Sequence, residues 1–108
     1  MLEQMKTLVR ENDICVLATN AGGKPYCSLM AYVSDESCDE IYMVTHRHSH
    51  KYQNMMKRPA VSLLIDTRES SPRSGVQALT VEGSFCRIEA GAKRNVISRL
   101  LLRAHPAF

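Results

Sequence analysis

Ile14-Cys15-Val16-Leu17-Ala18-Thr19-Asn20-Ala21-Gly22-Gly23-Lys24-Pro25-Tyr26 is the stretch that decides the architecture. Its first six residues form an apolar run of strand length, rich in strand formers. Two glycines follow in a polar break, and glycine supplies the positive φ angles that tight hairpin loops require. Tyr26 to Val33 resumes as a second strand, so the segment reads as an antiparallel hairpin. A polar loop, Ser34 to Glu40, leads into a third strand over Ile41 to Thr45, which makes this half of the chain an antiparallel meander.

Before the hairpin, Met1, Met5, Leu8 and Val9 recur at helical spacing opposite Glu3, Lys6 and Arg10, and Asn12-Asp13 ends that short amphipathic helix. Beyond the third strand, Lys51 to Lys57 reads as a helix with Tyr52, Met55 and Met56 on one face, stopped by Pro59. Ala60 to Asp66 is nearly all apolar, as expected of a strand covered on both sides. Thr67 to Gly75 reads as a polar loop and Val76 to Ile88 as a long last strand, with Gly83 marking a bulge or bend. A final helix over Ala92 to Ala104 carries Ile97, Leu100, Leu101 and Ala104 on one face. Five strands with helices inserted and appended predict a small antiparallel barrel, whose closure removes sheet edges.

The chain has 108 residues, which is one domain with a modest core. Its formal net charge of +3 favours an anionic ligand, but the basic residues are scattered and aromatics few, which argues against nucleic acid. No apolar run approaches the roughly 18 residues of a membrane span, and the first residues lack the features of a signal peptide. A cytoplasmic protein without membrane attachment is expected. Cys15, Cys27, Cys38 and Cys86 are widely spaced, which predicts neither a disulfide framework nor a zinc site.

The most chemically loaded segment is Val44-Thr45-His46-Arg47-His48-Ser49-His50-Lys51, where the third strand gives way to a helix start. Thr45 and Ser49 carry hydroxyl donors, Arg47 and Lys51 full positive charge, and the first backbone N–H groups of a helix have no intrahelical acceptor. Together these residues can hold a phosphate. A solvated basic turn accounts for the spacing equally well. The alternating His46, His48 and His50 raise a metal or haem role, but no carboxylate or cysteine stands at ligand spacing, so no metal site is expected. Met30, Met43, Met55 and Met56 read as core fillers. No nucleophile–base arrangement appears, so no catalytic residue is assigned.

The order of these pieces resembles the FMN-binding split-barrel family related to pyridoxamine 5′-phosphate oxidase. The likeness runs from Val16-Leu17-Ala18-Thr19 and Gly23-Lys24-Pro25-Tyr26-Cys27-Ser28-Leu29-Met30 through Ile41-Tyr42-Met43-Val44-Thr45 and Ser49-His50-Lys51. It continues over Asn54-Met55-Met56-Lys57-Arg58-Pro59 and Val61-Ser62-Leu63-Leu64-Ile65 to Leu79-Thr80-Val81-Glu82-Gly83. It implies a mainly β fold, a split antiparallel barrel of Greek-key type with a few helices, as a single domain over residues 1–108. It also implies a homodimer with FMN in the groove between subunits, the deazaflavin F420 or haem being alternatives, and an unknown small-molecule substrate or electron donor. Thr45, Ser49 and Lys51 would hold the 5′-phosphate. Many relatives have arginine where His50 stands, and Arg47 would make up that charge. Ser28, Leu29 and Met30 would line the isoalloxazine edge, Tyr42, Met43 and Val44 would lie under the ring and ribityl chain, and Gln77 would reach the flavin from the last strand.

The same resemblance makes an FMN-dependent oxidoreductase the leading expectation and a flavin- or haem-handling binding protein without turnover the alternative. Family members usually continue past the last helix into another strand, whereas this chain stops at His105-Pro106-Ala107-Phe108, so a shortened member or a fragment is expected. Nothing after Ala90 matches the arginine- and histidine-bearing motif with which true pyridoxamine phosphate oxidases bind substrate, so vitamin B6 synthesis is not expected.

Overall fold

A computed structural model describes residues 2–67 and 77–105. The elements run α1 (Leu2–Glu11), β1 (Ile14–Asn20), β2 (Pro25–Ala31), β3 (Val33–Ser34), β4 (Ile41–Tyr42), α2 (His50–Lys57), β5 (Ala60–Asp66), β6 (Ala78–Ser84) and α3 (Ala92–Ala104). All pairings are antiparallel, in a four-stranded sheet of order β2-β1-β5-β6 and a separate β3-β4 hairpin. The strands of the split barrel thus lie in two ladders, and among the described residues β2 and β6 remain sheet edges, so the expected closure that removes edges is not made by these pairings.

The β1–β2 hairpin forms as its turn chemistry dictates. Gly22 and Gly23 have φ of 68° and 92°, and Ala21 N–H donates to the Lys24 carbonyl at 2.7 Å. Asn20 Oδ1 accepts from Gly23 N–H at 2.7 Å, closing the loop from within.

The expected meander does not continue. The strand predicted over Tyr26 to Val33 breaks at Tyr32, whose N–H donates to Asp13 O at 2.9 Å as the last bond to the start of β1. There β1 runs out of backbone to pair with, and the chain crosses to the β3–β4 hairpin. Tyr32 itself is buried, and its hydroxyl donates to the Val9 carbonyl of α1 at 2.7 Å. The β3–β4 ladder ends at the Val33–Tyr42 pair, where the chain before it has joined β2, so among the described residues Met43 to Thr45 make no ladder pair and the third strand is shortened. The return to β5 on the far side of β1 is the Greek-key element.

The last strand is also shorter than predicted. Its register is regular through Gly83, which pairs with Val61, so no bulge forms there. One further bond, Phe85 N–H to Pro59 O at 2.7 Å, ends the ladder where the partner strand begins. Val76 lies outside the described residues, as does the predicted loop after Thr67.

Leu8, Val9, Cys15, Leu17, Met30, Tyr32, Met55, Leu63 and Ile65 form the core. Alternation along β1 puts Cys15, Leu17 and Thr19 inward, as expected of a strand between two neighbours. Burial pushes the Cys15 thiol up to about 11, so it stays protonated and acts as a small apolar side chain. Two helical faces are narrower than their periodicity suggested. Ile97 and Leu101 of α3 are buried while Leu100 is 41% exposed, and Met55 of α2 is buried while Met56 is 52% exposed. For α3 the reason is its support, since it meets the two-stranded β3–β4 hairpin, which is too narrow to cover a broad stripe.

Candidate functional site

The helix α2 begins where the basic segment predicted it. Ser49 is its N-cap, with φ −71° and ψ 153°, and its Oγ accepts from Tyr52 N–H at 3.2 Å. The same hydroxyl donates to the His46 carbonyl at 2.8 Å and lies 3.1 Å from Thr45 Oγ1. Gln53 adds a brace, its Nε2 donating to the Arg47 carbonyl at 2.7 Å. The turn 46–49 is therefore held by side chains at both ends.

These bonds decide which groups remain for a ligand. Tyr52 and Gln53 N–H are used by Ser49, whereas among the described residues no protein acceptor takes the N–H of His50 or Lys51. Nor does either Arg47 or Lys51 have an ion-pair partner among the described residues. The first turn of α2 contains no acidic residue. A helix N-terminus already carries partial positive charge, and adding two cations without a carboxylate is unfavourable until an anion arrives.

The helix is docked on the β1–β2 hairpin along one face. The His50 ring stacks on Tyr26, with centroids 6.0 Å apart and planes 29° from parallel. One turn on, Asn54 Nδ2 donates to Thr19 Oγ1 at 3.1 Å, and Thr19 Oγ1 lies 3.4 Å from the Tyr26 carbonyl. A Cβ built on Gly22 would stand 3.8 Å from an Arg58 guanidinium nitrogen, so the same face reaches the hairpin loop. Asn54 and Thr19 did not emerge from the sequence, although the i, i+4, i+8 polar spacing of His50, Asn54 and Arg58 was there to be read.

The remaining predicted site residues are dispersed. Ser28, Leu29 and Met30 lie on the edge strand β2, paired with Leu17, Val16 and Cys15. Met30 points into the core, Ser28 is half-buried, and Leu29 is 74% exposed on the other face. Tyr42 turns toward α3, where it lines a largely apolar groove of about 340 Å³ with Ala92, Val96, Ile97 and Leu100. Its hydroxyl donates to Glu40 at 2.7 Å, and Lys93 Nζ meets the same carboxylate at 3.1 Å. Those two donors hold the Glu40 carboxyl below its ordinary value, and the hydrogen bond to Glu40 pushes the Tyr42 phenol up to about 12. Met43 packs on the core and Val44 is exposed beside Thr45. Gln77 sits at the opposite end of the sheet from α2. Its N–H donates to Thr67 Oγ1 at 2.8 Å, beyond the Asp66–Ala78 pair, whereas Thr19 and Tyr26 lie at the other end of β1 and β2. One subunit does not bring Gln77 to the α2 corner.

A four-stranded antiparallel sheet, a displaced hairpin and a short helix inserted before β5 define the split β-barrel of FMN-binding proteins. The sequence model of the pyridoxamine 5′-phosphate oxidase family matches residues 1–106, and the chain belongs to that family. Its fold is similar to that of a FAD-binding protein from Mesorhizobium loti, with a TM-score of 0.82 at 18% identity over 97% of this chain and 76% of that one. It is similar also to a candidate pyridoxamine 5′-phosphate oxidase from Listeria innocua, with a TM-score of 0.78 at 18% identity over 95% of this chain and 78% of that one. HutZ, the heme storage protein of Vibrio cholerae, superposes with a TM-score of 0.76 at 17% identity over 95% of this chain and 74% of HutZ. Other matched chains are longer, this one spanning 51% of a Mycobacterium tuberculosis protein. Comparison with curated proteins gave no match. Among the described residues no helix is long and apolar enough to cross a membrane.

Proposed function

We propose that this chain binds a flavin nucleotide, FMN, with its terminal phosphate at the start of α2, and acts as an FMN-dependent oxidoreductase. The observation that carries the reading is the uncompensated positive corner: the His50 and Lys51 N–H groups, the Arg47 and Lys51 side chains and the Thr45 hydroxyl all belong to the segment Thr45 to Lys51 that opens α2, and among the described residues no carboxylate pairs with its cations. That donor set fits a phosphate dianion. Hydrogen bonds to a charged group contribute about 1.5–3 kcal/mol each, so three or four supply roughly 5–10 kcal/mol before ordering costs. A micromolar complex needs about 8 kcal/mol net. The phosphate end is therefore large enough to decide retention.

Ser49 has a different part from the one its residue type suggests. Its hydroxyl is spent on Tyr52 N–H and the His46 carbonyl, so it shapes the corner and contacts phosphate only by releasing His46. His50, stacked on Tyr26, offers its N–H more readily than its ring. The free backbone edge of β2 over Ser28, Leu29 and Met30 supplies donors and acceptors for the ring system. The flavin supplies hydride or electron transfer when bound, and the protein supplies orientation and water exclusion.

A homodimer accompanies this reading. Leu29, Val16 and Leu64 are cross-strand neighbours on the outward face of the sheet, with Leu29 74% and Leu64 42% exposed. An apolar row of that kind is suited to a second subunit. A partner also offers the route by which a Gln77 could reach the flavin. Similarity in fold to HutZ supports a second reading, a flavin- or haem-handling protein without turnover.

The decisive experiment is to denature the purified protein and identify the released chromophore by mass. FMN is expected; F420 or haem would redirect the assignment, and a colourless protein that binds none of the three would end it. Steady oxidation of NADH or NADPH with an acceptor separates oxidoreductase from carrier. Light scattering is expected to report a dimer.

A further inference from the structure

We propose that Asn54, acting through Thr19, is a positioning residue that sets the anion-binding end of α2 against the β1–β2 hairpin, and so controls discrimination for the phosphorylated flavin. The inference rests on the phosphate reading above and adds residues that touch no phosphate.

The two ends of the expected ligand lie on different elements. The phosphate donors belong to α2 and the turn before it, and the ring-edge contacts belong to β2. No short covalent link holds these elements in register, because residues 32–49 separate Pro25–Ala31 from the start of α2 and pass through the separate β3–β4 hairpin. What ties them is the polar face of α2. Thr19 and Tyr26 are directly opposite each other across β1 and β2. His50 stacks on Tyr26, and Asn54, one turn along the same helical face, donates to Thr19. The helix is thereby gripped at two points spaced one turn apart, on two residues that are themselves paired.

Of the two grips, the Asn54–Thr19 bond is the directional one. Thr19 is 4% exposed and lies on the core face of the sheet among apolar neighbours. An aromatic stack tolerates sliding, whereas a hydrogen bond to a buried hydroxyl is lost with small displacement. Met55, the neighbouring buried residue, fills the core but fixes no axial position, since apolar contact is non-directional. Asn54 therefore decides how far along the hairpin α2 sits, and with it where the His50 and Lys51 N–H groups point.

The test uses ligands that differ only at the phosphate. The full chain is titrated with FMN and with riboflavin, following flavin fluorescence, in the wild type, Thr19→Val, Asn54→Leu and the double variant. Thr19→Val keeps the shape and removes the hydroxyl, and Asn54→Leu keeps the size and removes the donor. In each single variant the FMN affinity is expected to fall about tenfold while riboflavin affinity changes less than about twofold, and the double variant is expected to be no worse than either. Equal weakening of both ligands would mean a general loss of structure and would overturn the proposal. So would an unchanged preference for FMN, or additive losses in the double variant. If Thr19→Val does not fold, Asn54→Leu and Asn54→Ser carry the same comparison from the half-buried helix side. A wild type that binds FMN no better than riboflavin removes the phosphate reading itself, and that result is seen before any variant is made.

Discussion

The starts of α2 and α3 differ in one respect that matters. Both helices carry a lysine at the second helical position, Lys51 and Lys93, and neither has an acidic residue in its first turn. A cation is unfavourable there in both cases. At α3 the molecule corrects this internally, because Glu40 comes across from the β4 side and pairs with Lys93 at 3.1 Å. At α2 no carboxylate does so among the described residues. The caps differ in the same sense. Ser49 closes the α2 start with a side-chain bond, while α3 begins at Gly91 with none. One start is shaped and left positive, the other neutralised and left plain. The contrast teaches that basic residues at a helix N-terminus are a candidate anion site only where the protein does not neutralise them itself.

Reversing the charge at α2 should break the contrast most severely. Lys51→Glu removes a charge-assisted contact and installs repulsion, so FMN affinity is expected to fall more than about a hundredfold, and Lys51→Ala about tenfold to a hundredfold, by fluorescence titration. Lys93→Glu, the matching change at α3, is expected to leave FMN affinity within about twofold. An equal loss in both would mean that only overall charge matters.

The next effect concerns the caps. Gly91→Ser introduces a good capping residue, yet Gly91 has φ 149° and ψ −168°, a conformation open to glycine alone. A net destabilisation of about 1–3 kcal/mol is expected from urea melts. Ser49→Ala removes a working cap and should cost about 1 kcal/mol in the same assay.

The smallest effect is spectroscopic. In Glu40→Gln the Tyr42 phenol loses its charged acceptor and should titrate nearer its ordinary value of 10.0 than about 12, read by ultraviolet absorbance. The sign of the pH dependence follows. Because Tyr42 is raised in the folded protein, its contribution is present below pH 10.0 and is lost as the pH climbs through about 12. Glu40 is lowered, so its contribution is complete above the ordinary 4.5 and is lost as the pH falls through the depressed value.

Local chemistry announced several of these features. Gly22 and Gly23 had to make a hairpin loop because few other residues adopt their φ angles. The bounds of Ala60–Asp66 and Ala92–Ala104 were legible, since a proline precedes the one and a glycine the other. But the strand expected to be covered on both sides leaves Leu64 42% exposed, because only one face of the sheet meets the core. The boundaries that failed depend on partners. Thr45 was placed in a strand, but the residues that would oppose it across the β3–β4 ladder belong to β2 and pair with β1, and Gly83 was read as a bulge or bend although its partner Val61 keeps the ladder regular. Leu100 and Met56 had the right spacing for burial, but how much of a helix face is covered depends on the width of what it lies on. The candidate corner was visible as a list of residues. Its meaning was not, because Ser49 could be a phosphate donor or a helix cap until its hydrogen bonds were known.

By itself the sequence determined the elements, their β-rich order and the concentration of hydroxyl and cationic side chains before α2, because propensity, turn geometry and charge are local properties. Tertiary contacts set which cation is neutralised, Lys93 by Glu40, and which has no ion-pair partner among the described residues, Lys51. The same step set Gln77 at the far end of the sheet and brought Asn54 onto Thr19. Those outcomes depend on what the chain places beside a residue from 35 or more positions away, as the Asn54–Thr19 and Lys93–Glu40 contacts do.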